Sequence, residues 1–112
     1  MGKRSWRIIL ENEFQGKLIK EIKKEFKGCT VLKNDPNYIQ GIPDLVVFYE
    51  DKYAFLEVKK QKKASHRPNQ DYYINKFHEQ GAYSAFVYPE NKEDVIDGMA
   101  RSFGITRSSR IS

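Results

Sequence analysis

Apolar residues at 14, 18, 19, 22 and 26 fall on one face when each residue advances by about 100°. The stretch "ENEFQGKLIKEIKKEFKG" (11–28) therefore predicts an amphipathic helix closed by Gly28. "CTVLK" (29–33) predicts a short strand, and the turn-rich "NDPNYIQGIP" (34–43) a loop. The pattern then tightens. Leu45 to Tyr49 and Tyr53 to Val58 are two nearly continuous apolar runs joined by Glu50-Asp51-Lys52, the signature of a hairpin of buried strands. "PNQDYYINKFHEQG" (68–81) predicts a second helix with Pro68 in its first turn and Gly81 at its end. "AYSAFVY" (82–88) predicts a further strand halted by Pro89, and "NKEDVIDGMARSF" (91–103) a third helix with Asn91 as its N-cap and acids in its first turn.

This order, helix, strand, hairpin, helix, strand, helix, predicts an α/β fold with a mixed central sheet flanked by helices. The helix between the third and fourth strands permits a parallel crossover. Nothing interrupts residues 1–103, which are expected to form a single domain, while 104–112, polar, basic and without period, are expected to be a flexible tail. At 112 residues and 39% hydrophobic content, the chain is large enough to bury roughly two-thirds of the surface its unfolded form exposes. The single Cys29 forms no internal disulfide, and with only His66 and His78 it builds no zinc pattern, which places the chain in a reducing cytoplasm. "WRIIL" is too short for a signal core or a membrane span and "MGKRSW" lacks the Ser or Thr of a myristoylation signal, so no targeting segment and no membrane partner are expected.

Charge changes the picture more than composition does. The net charge is +5, and "KKQKKASHR" (59–67) carries five Lys and Arg residues and no acid. A solvated loop would explain such a run in isolation, but beside the hairpin it points to nucleic acid. Residues two apart on a strand share a face, so Glu57 and Lys59 project to one side and Val58 to the other, and the turn brings Asp44 beside them. Two carboxylates at an apolar rim repel, and without help one of them keeps its proton. A divalent cation removes that conflict: Asp44, Glu57 and the Val58 carbonyl form an oxygen set suited to Mg²⁺ or Mn²⁺. Lys59 beside them is placed to orient a water or to neutralise phosphate charge. Glu11 and Gln15 fall within the apolar arc of the first helix, opposite Glu13, Lys17, Lys20 and Lys24. An acid on a buried face needs a partner, so Glu11 is expected to reach toward the same cation or its water shell. Gln70 shares a face of the second helix with Ile74 and Phe77. Taken singly, these residues have competing readings: a strand-end ion pair for Glu57 and Lys59, a fraying helix start for Glu11 and a satisfied buried amide for Gln70.

Taken together, "GIPDL" followed by "LEVKK" closely resembles the PD-(D/E)XK nuclease signature. With Glu11 and Gln70 in this order, it resembles the VRR-NUC branch, especially its small stand-alone phage-type members. The likeness runs from about Glu11 to Asp97, with "VKK" where the branch name has "VRR". It implies a restriction-endonuclease-like αβββαβ core. It also implies metal binding by Asp44, Glu57 and the Val58 carbonyl, supported by Glu11, with Lys59 as the catalytic lysine and Gln70 orienting the site. The implied activity is Mg²⁺- or Mn²⁺-dependent DNA endonuclease chemistry, structure-selective in the manner of Holliday-junction resolvases, by a homodimer acting on DNA that includes branched forms. The setting would be a host cytoplasm if the protein is phage-encoded. Lys60, Lys62, Lys63 and Arg67, with Lys33, are expected to hold the DNA backbone. The competing expectation is a catalytically silent DNA-binding subunit with the same fold. Tyr49, Tyr53, Tyr72, Tyr73, Phe86 and Tyr88 supply aromatic surface compatible with a dimer interface or with a core.

Overall fold

The computed structural model describes residues 3–35 and 37–107. The chain runs as helix α1 (Lys3–Glu25), strands β1 (Thr30–Lys33), β2 (Leu45–Tyr49) and β3 (Lys52–Val58), helix α2 (Pro68–Glu79), strand β4 (Tyr83–Val87) and helix α3 (Lys92–Phe103). The sheet order is β1-β2-β3-β4, with the first two pairings antiparallel and β3-β4 parallel. This is the order predicted, the αβββαβ core followed by the third helix. Boundaries moved most at α1, which begins at Lys3 and not at residue 11 as predicted. No helix among the described residues is long and apolar enough to cross a membrane.

Strand alternation divides the sheet into two faces. Leu45, Val47, Ala54, Leu56, Val58 and Val87 pack against Leu18, Ile22 and Phe26 of α1 and Val95, Ile96, Met99, Ala100 and Phe103 of α3 in one buried cluster. The odd-numbered residues of β2 and the even-numbered residues of β3 thus face α1 and α3. The opposite set, including Phe55 and Glu57, faces α2, where the Phe55 and Phe77 rings stack at 4.0 Å. Glu57 is therefore carried into the interior by the same alternation that buries its apolar neighbours.

The predicted tail is not free from residue 104. Arg107 is buried; its Nη1 donates to Asp97 Oδ1 at 2.7 Å and its Nη2 to Glu25 Oε1 at 2.7 Å, with Glu93 Oε1 at 3.3 Å from Nη1. Three acids drawn from α1 and α3 surround one guanidinium, so charge pairing docks residues that lack any hydrophobic period. Residues 108–112 lie outside the described part of the chain.

Candidate active site

Register brings the two carboxylates together. The β2-β3 ladder ends at Leu45 opposite Leu56, so one step further Asp44 stands opposite Glu57. Asp44 Oδ2 accepts a hydrogen bond from the Val58 N–H at 2.9 Å, which fixes the carboxylate across the strand end. Glu57 is 4% exposed, and its Oε1 is buried without a hydrogen-bond partner. Burial, and then the charge of Asp44, push the Glu57 carboxyl up to about 8, while burial also raises Asp44. Before any cation is considered, the pair is thus built to keep a proton.

Lys59 follows β3 and is 7% exposed. Its backbone N–H donates to the Val87 carbonyl at 2.8 Å, which carries the parallel pairing one residue beyond β3. Its Nζ donates to Gln70 Oε1 at 2.7 Å and to the Ser65 carbonyl at 3.2 Å, and lies 4.0 Å from Glu57 Oε2. Gln70 stands at the third position of α2, where its Oε1 also accepts the Arg67 backbone N–H at 3.1 Å as a helix-capping bond. Its Nε2 donates to Glu57 Oε2 at 2.9 Å. One amide therefore caps the helix, holds the lysine and orients the buried glutamate.

Glu11, Lys59, Lys60, Gln61, Lys63, Ala64, Ser65 and Arg67 line a cleft of about 510 Å³, which Lys59 joins to the acid pair. Burial, and next the charge of Asp44, raise the Glu11 carboxyl, while Lys59, Lys60 and Arg67 pull it down. Glu11 thus shares the field of the site. Among the described residues, however, no group of three or more His, Cys, Asp or Glu side chains is placed to hold a metal ion. The side chains that converge as potential ligands are the Asp44-Glu57 pair, at the strand end that also carries the Val58 carbonyl.

A solved structure described as "VRR_NUC domain" matches with a TM-score of 0.57 and 29% identity, over 73% of this chain and 92% of that one. The fold is the restriction-endonuclease-like fold of a VRR-NUC domain. No protein-family model and no curated protein matches the sequence. On this VRR-NUC-like frame, Asp44, Glu57, Lys59, Gln70 and Glu11 gather at one end of the sheet, with Lys60, Lys63 and Arg67 along the cleft. Two other candidates do not join them. Lys33 pairs with Leu45 and so belongs to the face opposite Glu57. Lys62 is outside the cleft lining, and its backbone N–H lies 3.4 Å from Glu90 Oε2. The Ser65 carbonyl that receives Lys59 carried no sequence signal, because any residue type supplies a backbone acceptor.

Proposed function

We propose that the chain is a metal-dependent DNA endonuclease that hydrolyses phosphodiester bonds. One observation carries this reading. Asp44 and Glu57 are held face to face at a buried strand end, with an unpartnered Glu57 oxygen and, beside them, a fixed lysine that lines a cationic cleft. The structural likeness to a VRR_NUC domain at 29% identity supports it. The donor set fits a hard divalent cation, Mg²⁺ or Mn²⁺: two carboxylates that repel each other, one with a free buried oxygen, and no soft ligand. Asp44, Glu57 and the Val58 carbonyl would hold the ion, and Glu11 would act through its water shell. When bound, the ion polarises the scissile phosphate and makes a water available as nucleophile.

The chain's own residues supply the rest. Lys59, anchored by Gln70 and Ser65, presents an ammonium to the negative charge that develops on the phosphate. Lys60, Lys63 and Arg67 bind flanking phosphates, and because such contacts carry no base information, selectivity is for DNA shape, including branched junctions. Each chain has one such site, so paired cutting in the manner of a junction resolvase needs a two-fold homodimer. Leu32, Phe48 and Tyr53, exposed on the half-face of the sheet that α2 leaves uncovered, are apolar surface available for it. Tyr49, in contrast, packs against the core cluster, and Phe86 stacks on His66 at 3.9 Å.

The test is Mg²⁺-dependent cleavage of linear, flapped, forked and four-way DNA by the purified chain, with its mass in solution measured alongside. Cleavage of one or more branched forms is expected. Binding without cleavage in any divalent metal would instead establish the silent DNA-binding subunit.

Affinity has its own signature. With Lys60, Lys63 and Arg67 on phosphates, log K against log salt should slope by about −0.9 per contact on duplex DNA. Neutralising Lys60 and Lys63 together is expected to flatten that slope by up to about two units, measured in Ca²⁺ across several salt concentrations. Neutralising Lys33 is expected to leave it unchanged; a reversed outcome would put the DNA on the other face of the sheet.

A further inference from the structure

The loop between β1 and β2 delivers Asp44 to the site, and both of its ends are pinned. The Asn34 N–H donates to the Asp44 carbonyl at 2.8 Å and Asn34 Nδ2 to the Pro43 carbonyl at 2.7 Å. Within the loop, the Tyr38 N–H donates to the Asp35 carbonyl and the Ile42 N–H to the Ile39 carbonyl. At its crown the loop touches the first turn of α2. Gly41 has φ +89°, and a Cβ placed on it would collide with the Asn69 side chain and lie 2.8 Å from the Asn69 carbonyl carbon and 3.1 Å from its Cα. Asn69 Nδ2 lies 3.5 Å from the Gln40 carbonyl. The next residue along the helix is Gln70, which joins Lys59 to Glu57.

These contacts close a ring around the site. Asp44 reaches Val58 across the hairpin, Glu57 and Lys59 reach Gln70, Gln70 is continuous with Asn69, and Asn69 rests on the loop that leads back to Asp44. We propose that Gly41 is a positioning residue: its bare backbone seats the first turn of α2 at the depth at which Gln70 spans Lys59 and Glu57. Two properties of glycine serve here. It adopts the left-handed φ without steric cost, and it leaves no Cβ to push the helix away. A shift of the helix start by as little as about 0.5 Å is enough to spoil a productive site geometry. The structural part of the proposal stands alone; its consequence for turnover rests on the nuclease reading.

Gly81, at the other end of α2, provides the control. It has φ +97° and open space where a Cβ would stand, so Gly81→Ala adds similar backbone strain without the contact. Gly41→Ala is expected to displace the ¹H–¹⁵N signals of the Gln70 side-chain amide, assigned by their loss in Gln70→Ala. It is also expected to lower kcat about tenfold or more with little change in KM for DNA, as loss of transition-state alignment does. Gly81→Ala is expected to lower thermal stability while leaving both readouts in place. If Gly41→Ala does not fold, Asn69→Gly removes the contacting side chain from the helix side and should shift the same amide signals. Unchanged Gln70 signals in a folded Gly41→Ala protein, or equal losses in Gly81→Ala, would overturn the proposal. A wild-type chain that cleaves no DNA would overturn the nuclease reading instead, with the amide signals still deciding the role of Gly41.

Discussion

Replacing Asp44 by Asn or Glu57 by Gln is expected to abolish DNA cleavage while the protein stays folded. Each substitution removes one of two acids that repel each other at a buried strand end, so the metal-free fold is relieved while the oxygen donor is weakened. The relief has a pH signature whose sign follows from the raised Glu57 carboxyl. The unfolded chain releases this proton near 4.5, whereas the folded chain holds it to about 8. Between those values the folded state binds more protons than the unfolded state, so stability falls as pH rises through the window and levels off above it. Thermal melts in chelator from about pH 5 to 9 should show this decline in the wild type and a flatter profile in Glu57→Gln. Affinity for Mg²⁺ or Mn²⁺ should change the opposite way, rising with pH up to about 8, because the ion competes with the proton. Wild-type cleavage by either variant would remove the pair from the chemistry.

Lys59→Ala is expected to separate turnover from metal binding. The ammonium is held by Gln70 and Ser65 and lies 4.0 Å from Glu57 Oε2, at the edge of direct pairing. Losing it removes a positive charge that opposes the incoming cation, but also one that helps Glu57 ionise. The two effects oppose, so metal affinity should change little. Turnover should fall by about 10²-fold or more, as it does when a positioned charge meets the transition state but not the ground state. Single-turnover cleavage at saturating metal, alongside calorimetric metal titration, measures both quantities. Normal turnover with lost metal binding would make Lys59 a structural partner of Glu57.

The sequence by itself determined the secondary elements and the central acid pair. Period-two alternation through Leu45–Val58 places Glu57 and Lys59 on one side, and a short hairpin turn sets a register in which Asp44 comes opposite Glu57. These are local consequences of strand geometry, readable within the hairpin's own stretch of sequence. The apolar arc of α1 likewise turned Glu11 toward the interior. What lay beyond local geometry was decided by packing between elements distant in sequence. Lys33, basic and close in sequence to the site, is turned to the other sheet face because its partner is Leu45. Arg107, in an aperiodic tail, is drawn in by Glu25 and Asp97, which its neighbours in sequence do not announce. Gln70 could be placed on a helix face from spacing alone, but its bonds to Glu57, Lys59 and the Arg67 backbone depend on how deeply α2 sits on the sheet. That depth is set where Gly41 meets Asn69, a contact between a loop and a helix far apart along the chain. Hydrogen bonds of 2.7 and 2.9 Å respond to displacements of a few tenths of an ångström. A pattern of residue types carries no information at that scale, so only the tertiary structure could turn the candidate residues into a site.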